Sequence, residues 1–190
     1  MPLLDSATKY LPDLEQLPLI IAGPILRHLQ ADSVTVWLAL IKPSNITLKI
    51  YGTQDGRGGI LSKVLLQGHR QTVALAKNLH VVAVTAKSNG TKPLSPGEIY
   101  AYDIYCDCDQ VNLATAIKAK SNDYSLSYFS HQLPTFALPS KDLNHLNIVH
   151  GSCRKPHGGG RDTLSCLDNL IQDSAPLAKK RPHQLFLTGD

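Results

Sequence analysis

The chain has 190 residues, of which 43% are hydrophobic and 18% are charged, so it is long and apolar enough to fold around a core. Its net charge of +4 arises from Lys and Arg residues that are scattered along the chain, which argues against a dedicated nucleic-acid surface. The one basic cluster, Lys179-Lys180-Arg181, is interpreted as a solvated helix end.

The first part of the chain does not indicate a membrane protein or a secreted one. The apolar run at residues 17–26 is too short, and too interrupted by proline, to span a bilayer. No basic region of the secretory type opens the sequence, so we expect a cytoplasmic protein. We accordingly expect the four cysteines to be reduced thiols.

Residues 17–138 alternate between short apolar runs and turn residues, a pattern typical of an antiparallel β-sandwich. The predicted strands begin at Ser33, Ile46, Gln71, His80 and Glu98. Trp37 lies in the middle of the first of these, and we predict that it anchors the core. Tyr100 follows a Pro-Gly turn, where immunoglobulin-like and fibronectin-like sandwiches place a tyrosine whose hydroxyl bonds back to the backbone.

The pattern changes near Pro139, where linker-like residues predict a boundary between an N-terminal sandwich domain (1–140) and a second domain (141–190). "LNIVHG" at 146–151 and "HQLFLTGD" from His183 predict two strands of the kind that is buried on both faces in α/β proteins. Two strands and one helix alone cannot provide that cover, so we expect the apolar edges of both strands to be exposed. Between them lies a predicted helix that Asp162 or Thr163 caps and that Pro176 bends or ends. Its apolar stripe consists of Leu164, Leu167, Leu170 and Ile171. This β-α-β unit should have a right-handed crossover and parallel strands.

Two chemically distinctive residues follow the predicted parallel strands. Cys153 lies just past the first strand and Asp190 just past the second, at the edge where open α/β sheets bind ligands. A thiolate and a carboxylate together suit iron or zinc better than magnesium alone. Gly151 and Gly189 beside them would allow a ligand to approach closely. From the residues alone, a cysteine in such a position is more often a small buried hydrophobe than a ligand, and "TGD" is equally often a turn.

The "CDCD" segment and the run of three glycines are both interpreted as structural features first. "CDCD", from Cys106 to Asp109, lacks a second Cys or His pair at zinc-finger spacing and is interpreted as a strand end with exposed acids. The glycines at 158–160 form a loop without the Walker pattern, so a phosphate cradle is the second choice there.

Four segments together carry a resemblance to a known family: "GPILRHLQADSVTVWLAL", "LSPGEIYAYDIY", "HGSCR" and "LFLTGD". In this combination the sequence resembles the alkaline phosphatase D-like (PhoD-like) metallophosphatases, in which a β-sandwich precedes a calcineurin-like metallophosphoesterase domain. The resemblance implies a mainly β chain: an N-terminal immunoglobulin/fibronectin-like β-sandwich followed by the first β-α-β unit of that α/β domain.

The resemblance also implies a chemistry. Cys153 looks like an iron ligand, Asp190 like a metal-bridging carboxylate and Arg154 like a contact for phosphate. Iron with calcium is what the family suggests, while zinc or manganese remain chemically possible. The metals would clamp a phosphoester substrate and activate a water molecule for its hydrolysis. Some members of the family are exported, so an exported location is the alternative to a cytoplasmic one.

The chain departs from the family after "GD", where the family continues with a Tyr and then Asn, Asp and His ligands. We therefore expect the N-terminal portion of a longer enzyme, inactive by itself. One alternative is a non-catalytic β-sandwich binding module with a frayed tail. Another is a redox or metal-storage role for Cys106, Cys108, Cys153 and Cys166.

Overall fold

The computed structural model describes residues 16–88, 90, 93–118, 125–152 and 163–189. Within these ranges the chain is mainly β, as predicted, with eleven strands and two α-helices. The strands are β1 (Ile20–Leu29), β2 (Ser33–Leu40), β3 (Asn45–Thr53), β4 (Leu61–Gln71), β5 (Val73–Ala76), β6 (Leu79–Lys87), β7 (Ile99–Cys106), β8 (Val111–Asn112), β9 (Thr135–Ala137), β10 (Ile148–Ser152) and β11 (Gln184–Thr188). The helices are α1 (Leu113–Ala116) and α2 (Leu164–Asp173).

Strands β1 to β9 form one curled antiparallel sheet. Its order is β1-β2-β6-β4-β3-β7-β8, with β5 beside β6 and β9 beside β7. Strand β4 pairs with β3 along most of its length but meets β6 at one register position, Gln67 opposite Lys87. Gly68 allows this close crossing, because a Cβ there would lie 1.9 Å from the carbonyl oxygen of Thr85.

The core of the sheet follows from the period-2 alternation of its strands. In β2 the even-numbered residues Val34, Val36 and Leu38 are fully buried. Trp37 points to the opposite face, where it is half-buried between its register partners Ile25 and Ala83. The prediction that Trp37 anchors the core is therefore wrong, because the covered face is the one that carries the aliphatic residues. Fully buried side chains of the other strands include Ile46, Leu48, Ile50, Leu66, Val84, Ile99 and Ile104.

Tyr100 makes the backbone contact that the sequence predicts. Its hydroxyl oxygen accepts a hydrogen bond from the Ser95 amide at 2.7 Å, and the hydroxyl donates to the Glu98 carboxylate at 2.8 Å. Burial and the Glu98 carboxylate raise the pKa of Tyr100 to about 12, so the phenol stays protonated at neutral pH. Its ring lies 5.8 Å from that of Phe136, between centroids. The side chain thus fixes the turn before β7 to the sheet.

The predicted β-α-β unit is present, and β10 and β11 pair in parallel, with Ile148 opposite Gln184 and Ser152 opposite Thr188. Helix α2 begins directly after Thr163, whose side chain makes no capping bond, while Asp162 lies outside the described residues. The helix ends at Asp173, ahead of Pro176.

Both strands of this unit are largely exposed, although their apolar runs are of the kind that is buried on both faces in α/β proteins. Every residue of β11 is exposed, and Ile148 and Phe186 are 52% and 49% exposed. On α2, Leu164, Leu167 and Ile171 are half-buried, whereas Leu170 of the predicted apolar stripe is 49% exposed. Two strands and one helix supply too little surface to cover both faces of a parallel sheet, so the apolar edges of these strands are exposed, as expected for this part of the chain.

Candidate metal site

The carboxyl ends of β10 and β11 lie side by side. Ser152 and Thr188, the last residues of the two strands, are register partners. Cys153 follows Ser152 directly, and Asp190 lies two residues after Thr188. Cys153, Arg154 and Asp190 themselves lie outside the described residues. The fold therefore brings together the two strand ends from which the predicted ligands extend.

His150 and Thr188 form a polar pair close to this edge. The His150 Nε2 atom lies 2.8 Å from the Thr188 Oγ1 atom, and both residues are exposed. His150 is the register partner of Phe186, so its side chain reaches along β11 towards the carboxyl edge. The sequence did not assign this contact, because it depends on the register between two strands that are far apart in the chain.

The two glycines near the edge have different structural roles. Gly189 directly follows β11 and has a φ of 95°, in the left-handed region that favours glycine. Gly151 lies within β10, where an added Cβ would be 3.3 Å from the Leu187 side chain. Gly189 thus permits a left-handed backbone after β11, and Gly151 leaves room for the Leu187 side chain of the neighbouring strand.

The "CDCD" segment is a strand end with exposed acids, as predicted. Asp107 accepts hydrogen bonds from the Ser44 hydroxyl at 2.8 Å and from the Asn45 amide at 2.6 Å. Asp109 forms an exposed ion pair with Lys42 at 3.1 Å. Burial, followed by the nearby Cys108 thiol and acidic groups, raises the pKa of Cys106 to about 12, which disfavours a thiolate ligand. Within the described ranges, no group of three or more His, Cys, Asp or Glu side chains is placed to hold a metal ion.

A small cavity lies elsewhere, beside α1. It has a volume of about 130 Å³, and residues of α1 and of the segment 125–134 line it, Gln132 and Pro134 among them. Cavities that bind drug-sized ligands are larger, at about 300–1,000 Å³. Because no residue of β10 or β11 lines it, this cavity is separate from the candidate metal site.

The basic cluster Lys179-Lys180-Arg181, interpreted as a solvated helix end, is solvated at two of its three residues. Lys179 and Lys180 are exposed, but Arg181 is buried, with 5% of its surface exposed. The interpretation is wrong for Arg181, because its guanidinium finds hydrogen-bond acceptors inside the protein.

No protein-family model matches this chain, and it has no match among curated proteins. Among the helices that the structure describes, none combines the length and the apolar character that crossing a bilayer requires.

Proposed function

We propose that the chain is part of a PhoD-like, metal-dependent phosphoesterase. One observation carries this proposal: β10 and β11 pair in parallel, so the strands that lead into "HGSCR" and "LFLTGD" end at one edge of a sheet. Open α/β sheets bind their ligands beyond the carboxyl ends of their strands. The curled antiparallel sheet and the Tyr100 contact support the assignment of residues 1–140 to an immunoglobulin/fibronectin-like sandwich and of 141–190 to the start of the metallophosphatase domain.

The donor chemistry at this edge fits the proposed metals. Cys153 and Asp190 would supply a thiolate and a carboxylate, a donor pair suited to iron with calcium, as in the family, or to zinc or manganese. When bound, such metals supply charge neutralisation at the phosphate and activation of water. Arg154, next to Cys153, would hold a phosphate oxygen through its planar guanidinium.

The chain offers two candidate ligands at this edge, whereas metal sites of this kind use four or more positions. We therefore expect no turnover of phosphoesters by the 190-residue chain alone.

Metal binding by the chain is the direct test. Cobalt(II) is a suitable probe, because a thiolate ligand gives it an intense charge-transfer absorption that oxygen ligands do not give. At saturating cobalt, the unmodified chain should show this absorption and Cys153→Ser should lose it. In a cobalt titration, Asp190→Asn should bind the ion more weakly than the unmodified chain. We expect weak binding throughout, since two protein ligands leave the other positions to water.

Cys166→Ser and Cys108→Ser are the matched controls. Both cysteines are free and exposed, and neither belongs to β10 or β11, so the absorption should persist in both variants. Absorption that survives in Cys153→Ser, or that disappears in Cys166→Ser, would overturn the ligand assignment.

The coding sequence after codon 190 gives an independent test. The resemblance requires a Tyr within a few residues of Asp190, followed by Asn, Asp and His ligands. A downstream sequence without them, in frame or frame-shifted, would count against the phosphoesterase.

The two alternatives have less support from the structure. The cavity beside α1 is too small for a drug-sized ligand, so it lends no support to a non-catalytic binding module. A redox or metal-storage role needs reactive thiols; burial and a raised pKa make Cys106 unsuited to it, which leaves the exposed Cys108 and Cys166 among the described cysteines. The phosphoesterase therefore remains the favoured function.

A further inference from the structure

Arg181 joins the β-α-β unit to the curled sheet. Its Nη1 atom donates to the Thr135 hydroxyl at 2.9 Å and to the Ala175 carbonyl at 3.4 Å, and its Nη2 atom donates to the Thr135 carbonyl at 2.9 Å. Thr135 is the first residue of β9, and Ala175 follows α2. One side chain therefore bridges an edge strand of the sheet and the end of the helix.

The acceptors around this buried cation are uncharged. Within the described part of the chain they are a hydroxyl and two carbonyl oxygens, without a carboxylate. Burial lowers the pKa of Arg181 to about 10, so the group is still charged at neutral pH. A buried charge is tolerated only while its donors are satisfied, so Arg181 requires Thr135 and Ala175 to stay in place around it.

Two other contacts lie at the same junction. Ala178 is buried in a small cluster with Ile99 of β7 and Ala137 of β9. The Tyr128 hydroxyl is hydrogen-bonded to the Asp168 carboxylate on α2. Burial and this carboxylate raise the pKa of Tyr128 to about 12, so the phenol remains a donor at neutral pH. Polar and apolar contacts thus meet where Arg181 is buried.

The β-α-β unit has little other support. Strand β11 is exposed along its whole length, and no residue of α2 is fully buried. Apolar burial is the main source of stability in most folded units, and this unit has little of it. Its attachment should therefore depend on the contacts of residues 168–181 with Tyr128 and with the sheet.

We propose that Arg181 is the latch that docks the β-α-β unit on the β7–β9 edge of the curled sheet and so orients the β10–β11 carboxyl edge. This holds whether or not that edge binds a metal. Lysine cannot replace the latch fully, because a single ammonium group does not provide the forked donors that reach Thr135 and Ala175 together.

Hydrogen exchange measured by mass spectrometry on the 190-residue chain tests the latch. In Arg181→Met, peptides from β10, α2 and β11 should exchange faster, on the order of tenfold, while peptides from β2 and β3 should not change. Arg181→Lys should lie between Arg181→Met and the unmodified chain. Lys180→Met is the matched control, since Lys180 is exposed, and it should exchange like the unmodified chain.

Thr135→Val tests the other side of the contact if Arg181→Met does not fold. It keeps the carbonyl acceptor and removes the hydroxyl, so the same peptides should exchange faster by a smaller factor. The latch is overturned if β10, α2 and β11 exchange at unchanged rates in the folded variants. It is also overturned if β2 accelerates equally, or if Lys180→Met has the effect of Arg181→Met.

Discussion

Replacing Gly68 with alanine would place a methyl group where β4 crosses β6. The added Cβ would lie 1.9 Å from the Thr85 carbonyl oxygen and 3.1 Å from the Cα atom of Ala86. Both neighbours are backbone atoms of a paired strand, so they cannot rotate away as the end of a side chain could. The substitution should therefore separate the two strands at the crossing.

The expected loss of stability can be worked out from this contact. An ordinary carbon–oxygen contact is about 3.3 Å or longer, so the strands must part by roughly 1.4 Å. Overpacking of this kind costs about 1–3 kcal/mol, and the upper end applies because Leu66 and Ala86 are buried beside the crossing. Alanine also lowers the conformational entropy of the unfolded chain, which offsets this loss of stability by about 0.5–1 kcal/mol. The net destabilisation should be about 2 kcal/mol.

Thermal and urea unfolding, followed by circular dichroism, measure this loss. The Tm of Gly68→Ala should fall by about 4–8 °C for a chain of this size. Gly59→Ala is the matched control, because its φ lies outside the left-handed region and the nearest atom to an added Cβ is Phe129 Cδ1 at 4.0 Å. Its stability should change by less than about 0.5 kcal/mol. If the two variants are equally stable, the close crossing of β4 and β6 is refuted.

Three further predictions concern other contacts of the sheet and the β-α-β unit. Tyr100→Phe should cost about 1–2 kcal/mol in urea unfolding, because the Ser95 amide loses its acceptor. Tyr100 keeps its proton in the folded state up to about pH 12, whereas an unfolded tyrosine loses it near pH 10. The contribution of Tyr100 to the free energy of unfolding should therefore be complete below about pH 10 and decline between about pH 10 and 12. If the stability of Tyr100→Phe changed with alkaline pH just as that of the unmodified chain does, this would be contradicted. Asp107→Ala should lower the free energy of unfolding by about 1–2 kcal/mol, because it removes the acceptor of the Asn45 amide. Lys42→Ala should lower it by less than about 1 kcal/mol, because the ion pair of Lys42 is exposed. Equal losses in the two variants would argue against this ranking. Amides of β10 and β11 should exchange faster than those of β2, and equal or slower exchange would show that the exposed unit is as well protected as the core.

The alternation of apolar and polar residues predicted the strands that contribute to the core. It did not predict strands that lack this alternation and are held in the sheet by backbone pairing. The predicted starts at Ser33, Ile46, His80 and Glu98 fall within one residue of β2, β3, β6 and β7. Strand β4 is mostly exposed and has no clear alternation, so its pairing with β3 was not evident from the residues. In β1, the Gly23-Pro24 pair interrupts the apolar run.

Side-chain burial was harder to predict than strand position. Period-2 alternation places Trp37 opposite to Val36 and Leu38, but it does not say which face is covered. Arg181 has the sequence context of an exposed cation, and its burial depends on Thr135, which is distant in the chain. For the candidate site, the β-α-β pattern predicted that two strand ends share an edge, whereas the His150–Thr188 contact required the strand register.

The parallel pairing of β10 and β11 also has a consequence for the order of folding. The hairpin of β5 and β6 closes across a tight turn, with Ala76 opposite Leu79, whereas Ile148 and Gln184 are far apart in the chain, with helix α2 between them. Closing the longer loop costs more entropy and slows the pairing of distant segments. The carboxyl edge of β10 and β11 should therefore be completed late. A molecule that binds the completed edge, and not the unfolded chain, would shift the folding equilibrium of the whole unit by mass action.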